Sequence, residues 1–277
     1  MTLDALARAN GTFAMVAMDQ RESLRTMLAA HHDDADDARM RCFKLAVARE
    51  LAPYASGFLI DEPYLDDLSL PPTCALIVAV DSLQQPPGGL VEDTEFDASV
   101  VDAAREAGAA ALKLLVIWRD DERRDHRLET ARRFVETARS AGLLSVLEGV
   151  VRADDREAAI VEAARELSSV GPDLYKVEVP LHGRASPEEL EQRCAELDAA
   201  LDVPWVVLSQ GVDPDDFPCA VEAACRAGAS GMLAGRAVWT SVLPADDPTD
   251  LLRERSVPRL RELGEIVDRC GRPWRGK

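Results

Sequence analysis

Residues Asp173–Val179 read DLYKVEV, a short apolar run with one lysine, Lys176, inside it. Side chains alternate along a strand, so Lys176 and Glu178 share one face while Tyr175 and Val177 point the other way. Seven further runs have the same character: Phe13–Asp19, Gly57–Asp61, Ala75–Val80, Leu112–Trp118, Leu144–Val150, Trp205–Gly211 and Gly231–Gly235. Several are almost continuously apolar, as strands buried on both faces should be. Most of the intervening stretches carry helical spacing, most clearly Thr94–Ala107, Arg123–Ser140, Asp155–Ser168, Pro187–Leu201 and Pro214–Ala227. Ala-Gly pairs at Ala107-Gly108, Ala141-Gly142 and Ala227-Gly228 suit left-handed helix ends. Ser186-Pro187 and Asp213-Pro214 suit capped helix starts. The connection Glu62–Cys74 holds three prolines, so its helix should be short. Eight β units repeating every ~30 residues predict a parallel sheet with right-handed crossovers. The expected fold is α/β, a single (β/α)8 TIM barrel over residues 1–277. A doubly wound open sheet is the other fold with this pattern, but no G-x-G-x-x-G turn follows the first run.

The 277 residues are close to the roughly 250 of such a barrel. Fifty Asp and Glu face 32 Lys and Arg, a formal net charge of -18, which argues against nucleic acid and anionic membranes as partners. The first residues do not have the form of a signal peptide, and no apolar run approaches the ~20 residues of a membrane helix. The expected location is therefore the cytoplasm. Six scattered cysteines without a C-x-x-C pair argue for reduced thiols and against zinc. Only four lysines occur, Lys44, Lys113, Lys176 and Lys277, in a chain that otherwise chooses arginine.

Active sites of TIM barrels lie at the C-terminal ends of the strands. Polar residues late in the runs are therefore the candidates. A lysine pointing into a barrel is costly unless it is paired or neutral. Near other cations its pKa falls, and the neutral amine attacks carbonyls. Moving it from about 10.4 to near 7 corresponds to about 4–5 kcal/mol between protonation states. Lys113 is the neighbouring cation in this reading, or else a lysine reaching solvent from the start of its strand. Lys176 could instead form a plain ion pair with Glu178. Glu148, in apolar surroundings, should have a raised pKa suited to general acid–base work, unless an arginine holds it. Ser209-Gln210-Gly211 and Gly235-Arg236 end the last two runs, where such barrels commonly bind phosphate. Asp19-Gln20-Arg21 could contact substrate hydroxyls or an anion. Asp61-Glu62 and Asp81 read as solvated rim residues. His31-His32-Asp33-Asp34 reads as a polar loop, not a metal site.

The stretches MVAMDQRESLR, LKLLVIW, LYKVEVPL, WVVLSQGV and GMLAGRAVW, in order from about residue 11 to about residue 240, resemble the class I aldolases that include tagatose 1,6-bisphosphate aldolase and sulfofructosephosphate aldolase. The resemblance implies a TIM-barrel lyase of carbohydrate metabolism that needs neither metal nor cofactor. It implies that Lys176 forms a Schiff base, that Glu148 moves protons and that Lys113 assists it. Asp19, Gln20 and Arg21 would contact substrate, and Ser209, Gly211, Gly235 and Arg236 would hold the phosphate of the dihydroxyacetone phosphate half. A homo-oligomer is also implied. The expected reaction is cleavage of a ketose 1-phosphate, with the far end of the sugar read by Arg21, His182 or Arg184. A Schiff-base lyase acting on another keto acid or deoxysugar phosphate, or a silent sugar-phosphate-binding barrel, would use the same residues. Two departures bear on the substrate: the chain is short for a tagatose-bisphosphate aldolase, and Gln210 stands where a small residue is expected.

Overall fold

A buried run of four to eight apolar residues must pair its backbone polar groups on both edges. In the computed structural model, which describes residues 1–86 and 89–276, the eight runs do so by closing into one barrel. The strands are β1 (Phe13–Ala17), β2 (Gly57–Asp61), β3 (Ala75–Ala79), β4 (Asp81–Gln84), β5 (Asp93–Phe96), β6 (Ala111–Trp118), β7 (Leu144–Val151), β8 (Leu174–Glu178), β9 (Trp205–Leu208) and β10 (Gly231–Ala234). The barrel order is β1-β10-β9-β8-β7-β6-β3-β2, all pairs parallel, and β4 and β5 form a separate antiparallel hairpin.

The helices α1 (Glu22–Ala29), α2 (Asp37–Leu51), α3 (Val100–Glu106), α4 (Arg124–Ser140), α5 (Arg156–Ser168), α6 (Pro187–Asp198), α7 (Phe217–Ala227), α8 (Arg236–Trp239), α9 (Thr249–Leu251) and α10 (Val257–Cys270) complete the chain. Gly108, Gly142 and Gly228 have positive φ at the helix ends where the Ala-Gly pairs placed them. Ser186 caps α6, accepting from the Glu189 N–H at 3.2 Å. The short helix expected after β2 is a 3-10 turn, Glu62–Asp67. Lys277 lies outside the described residues.

Two helix expectations need correction. Thr94–Ala107 is not one helix: its first residues form β5, and only Val100–Glu106 is helical. The polar pair Asp81–Gln84 and Asp93–Phe96 satisfies its backbone as a hairpin, held down where Arg127 donates to Asp93 at 3.2 and 3.1 Å. The expected helix start at Pro214 falls at Phe217, because Asp213 spends its side chain on a turn, accepting from Asp215 N–H at 3.0 Å.

Inside the barrel the side chains form tiers. The lowest is apolar and includes Phe13, Met15, Leu59, Ile77, Leu144 and Leu174, with Leu3 and Leu6 from the N-terminal turn packed on it. The middle tier is charged: Asp19, Lys113, Glu148 and Lys176 are all buried. Above it Ile117, Val150 and Leu208 form a small apolar ring, joined by Leu115 and by Val91 from the β4–β5 loop. Charged groups are thus sandwiched between apolar layers, where unpaired charge is very costly. No helix among the described residues is long and apolar enough to cross a membrane.

Candidate active site

Strand register sets the site. Glu148 on β7 and Lys176 on β8 are direct partners across a parallel pair, so their side chains enter the barrel side by side. Lys176 Nζ donates to Glu148 Oε2 at 2.9 Å. Lys113 Nζ, from β6, reaches the same oxygen at 2.9 Å, Asp19 Oδ2 at 2.7 Å and Asp81 Oδ1 at 3.1 Å. One carboxylate oxygen therefore lies between two ammonium groups.

The neighbours set the protonation states. Burial pushes Glu148 upward, but Lys113 and Lys176 outweigh it and hold the carboxyl below its usual value of 4.5. The raised pKa expected for Glu148 is thereby overturned: its surroundings are apolar above and below, but cationic at its own level. Asp19 is likewise held well down by Lys113 and Lys176 against burial. For Lys113, burial acts downward, yet Asp19, Asp81 and Glu148 together raise it well above the ordinary lysine value. Lys113 is thus held as a cation by its carboxylates and is not a snorkelling lysine, with 2% of its surface exposed.

Lys176 does not pair with Glu178, as the plain ion-pair alternative required. Glu178 accepts from Val151 N–H at 2.8 Å and from Arg156 at 3.3 Å. Asp61 and Asp81 are not solvated rim residues either; both are buried. Asp81 binds Lys113, and its second oxygen faces Arg21 at 3.4 Å. Asp61 pairs with Lys44, a lysine to which sequence reasoning assigned no role; it is fully buried from α2, with Nζ 4.4 Å from the Tyr64 ring centroid. Burial lowers the Lys44 pKa and raises that of Asp61.

Across the mouth, Arg236 follows β10 and Ser209 follows β9. The Arg236 guanidinium donates to Gln210 Oε1 at 3.2 Å, and Ser209 Oγ accepts from Ala237 N–H at 3.4 Å. Gln210 thus points into the site. Burial pushes the Arg236 pKa down, with only distant carboxylates opposing it, and among the described residues no carboxylate pairs with it. Gly235 is required there: a Cβ would lie 2.4 Å from the Ala17 carbonyl oxygen. Gln20 donates to Asp19 at 3.3 Å, while its Oε1 is buried without a partner among the described residues.

Asp19, Gln20, Arg21, Lys113, Glu148 and Lys176 line one cavity at the C-terminal mouth, together with Ser209, Gly235 and Arg236. Gly211 does not: it turns with φ +75° beneath the His182 ring. His182 and Arg184 also lie off this cavity; Arg184 is exposed and faces Asp216 at 4.0 Å. Arg152, which sequence reasoning passed over, does line it. Its signal was available, since Glu148, Val150 and Arg152 continue one alternating face. The His31–Asp34 stretch holds no metal cluster among the described residues; His32 bonds the Leu243 carbonyl at 2.7 Å.

A family model described as DeoC/LacD family aldolase matches residues 13–241, from β1 to just past α8. The chain is 27% identical to tagatose 1,6-diphosphate aldolase 2 of Streptococcus mutans, over 99% of this chain and 96% of that protein. It is 28% identical to the protein of the same name from Enterococcus faecalis, over 99% and 95%. Among solved structures it is similar to an archaeal fructose-1,6-bisphosphate aldolase with its catalytic lysine covalently bound to the carbinolamine intermediate of the substrate (TM-score 0.65, 19% identity, 96% and 97% covered). It is also similar to the fructose-bisphosphate aldolase of Plasmodium falciparum (TM-score 0.73, 13% identity, 97% and 93% covered).

Proposed function

The chain belongs to the DeoC/LacD family of aldolases, carbon–carbon lyases, and from that premise we propose that it is a Schiff-base (class I) aldolase cleaving a ketose 1-phosphate through Lys176. Tagatose or fructose 1,6-bisphosphate and sulfofructose 1-phosphate are the substrate types in view. The observation that carries the reading is the buried contact of Lys176 Nζ with Glu148 Oε2 at 2.9 Å.

In this mechanism Glu148 takes a proton from Lys176, and the free amine attacks the C2 carbonyl. The carbinolamine hydroxyl takes the proton back from Glu148 and leaves as water, giving an iminium and restoring the Glu148 carboxylate. Glu148 then removes the C4 hydroxyl proton, directly or through water, and the C3–C4 electron pair flows into the iminium. The aldehyde leaves and an enamine remains. Formation of the enamine removes one of the two cations that hold Glu148 down, so its proton affinity rises as it receives the proton. Return of that proton to C3 and hydrolysis of the new iminium release dihydroxyacetone phosphate and restore the Lys176 ammonium beside the Glu148 carboxylate.

Asp19, held ionised, and the unpartnered Gln20 Oε1 can accept hydrogen bonds from substrate hydroxyls. Arg236, unmatched by any carboxylate among the described residues, supports a phosphate site with Ser209 and Gln210. Gly211 is left a supporting role in the turn. Six free cysteines fit a reducing, cytoplasmic setting. The test is borohydride trapping with dihydroxyacetone phosphate and peptide mapping. An adduct on Lys176 is expected; an adduct on Lys113 would overturn the assignment, and no adduct would overturn the class I reading.

A further inference from the structure

Glu148 and Val150 point into the barrel from β7, and Arg152 is the next residue on that face, at the cavity mouth. Its guanidinium donates to the Val151 carbonyl at 3.0 Å and meets no carboxylate among the described residues. Glu178, the nearest acid on the adjoining strand, is already engaged by Arg156 and by Val151 N–H. The latter bond also fixes the end of β7 and so the base of Arg152. Burial presses its pKa down; Glu178, too far for an ion pair, offsets part of this, and Arg119 and Arg156 add repulsion.

Position in the barrel gives this cation a use. Neighbouring strands run in the order β10-β9-β8-β7. They present, in the same order, Arg236, Ser209, Lys176 and then Glu148 with Arg152 above it. A substrate with its phosphate at Arg236 and its carbonyl at Lys176 brings its C4 hydroxyl to Glu148. Its far end then rises along β7. The wall there is Val150, Ile117, Leu208 and Leu115. Such a wall returns no hydrogen bonds to a desolvated polar end, whereas an anion would find charge-assisted bonds at Arg152. Arg21, the third arginine lining the mouth beside Arg152 and Arg236, stands 3.6 Å from Asp61 and 3.4 Å from Asp81, and those carboxylates would repel a second anion.

We propose that Arg152 binds an anionic group, a phosphate or a sulfonate, at the far end of the substrate and sets the preference for the aldehyde that carries it. This rests on the Schiff-base reading above. The experiment measures condensation of dihydroxyacetone phosphate with three aldehydes: glyceraldehyde 3-phosphate, 3-sulfolactaldehyde and uncharged glyceraldehyde. Wild-type enzyme, Arg152→Gln and Arg152→Lys are compared, and each is also trapped with borohydride and dihydroxyacetone phosphate alone. Arg152→Gln is expected to lower kcat/KM for an anionic aldehyde on the order of 10–100-fold, leaving glyceraldehyde and the trapped adduct nearly unchanged. Arg152→Lys should fall between. The anionic aldehyde with the larger loss identifies phosphate or sulfonate as the group read. An unchanged preference in Arg152→Gln, or an equal loss for all three aldehydes, overturns the proposal while the adduct persists. Absence of an adduct on wild-type Lys176 instead removes the Schiff-base reading, and this proposal with it.

Discussion

The two halves of the barrel mouth treat charge differently. On the arc from β1 through β2 and β3 to β6, three carboxylates, Asp19, Asp61 and Asp81, meet three cations, Arg21, Lys44 and Lys113. On the arc from β7 to β10, three carboxylates, Glu148, Glu157 and Glu178, pair with Lys176 and Arg156, while Arg152 and Arg236 form no ion pair among the described residues. The first arc is neutral by internal pairing. Among the described residues, the second keeps two guanidinium groups without an ion-pair partner in a protein whose formal net charge is -18. Retained, unmatched, partly buried positive charge is expensive unless a ligand supplies the counter-charge. In the proposed mechanism the first arc holds the geometry, and the second receives the anion.

The comparison breaks most completely at Lys176. Lys176→Ala should lower turnover on the order of 10³-fold or more and abolish the borohydride adduct. It should leave binding of a sugar phosphate, read by calorimetry, largely intact, because Arg236 is untouched.

Lys113 belongs to the neutral arc, and its loss should appear first as lost stability. Lys113→Met leaves Asp19, Asp81 and Glu148 without their shared cation and should cost about 3–5 kcal/mol in denaturant unfolding. The pH dependence follows from the signs. Asp19 and Glu148 have folded pKa values below their ordinary ones. Their contribution is full above the unfolded values and fades as pH falls from about 4.5 through the folded pKa. Lys113, raised in the fold, contributes below about 10.4 and loses that contribution as pH rises through its folded pKa. The acid-side decline of Tm should therefore be shallower in Lys113→Met than in wild type. An equal slope in both would remove Lys113 as the group holding those carboxylates down.

The unmatched arc is sharpened at Arg236. Arg236→Gln should raise KM for a ketose 1-phosphate on the order of 10–100-fold with a smaller change in kcat. A wild-type KM would move the phosphate site elsewhere. The smallest effect is expected at Gly211, which supports the turn without lining the cavity. Gly211→Ala puts a side chain at φ +75° against His182 and should cost about 1 kcal/mol of stability, with KM unchanged.

The barrel strands were legible because each is a short, mostly apolar run, the pattern that burial on both faces demands. The β4–β5 hairpin was not: DSLQ and DTEF are polar, and their pairing is a property of two distant segments. Lys176 and Glu148 stood out because a charged residue inside an apolar run is costly and therefore conspicuous. Asp61 and Asp81 were misread because a carboxylate at a strand end looks the same whether it meets water or a lysine. The lysine that buries Asp61 is 17 residues away, and the one beside Asp81 is 32 away.

By itself the amino-acid sequence determined the eight-fold β/α repeat, the inward faces of the strands and the residue types that reach the mouth. Those follow from local periodicity, which neighbouring residues carry among themselves. Only the tertiary structure decided which charges neutralise one another, that Glu148 is held ionised, and that Arg152 and Arg236 are left over. Pairing and burial depend on distances between strands, and those distances exist only once the barrel has closed.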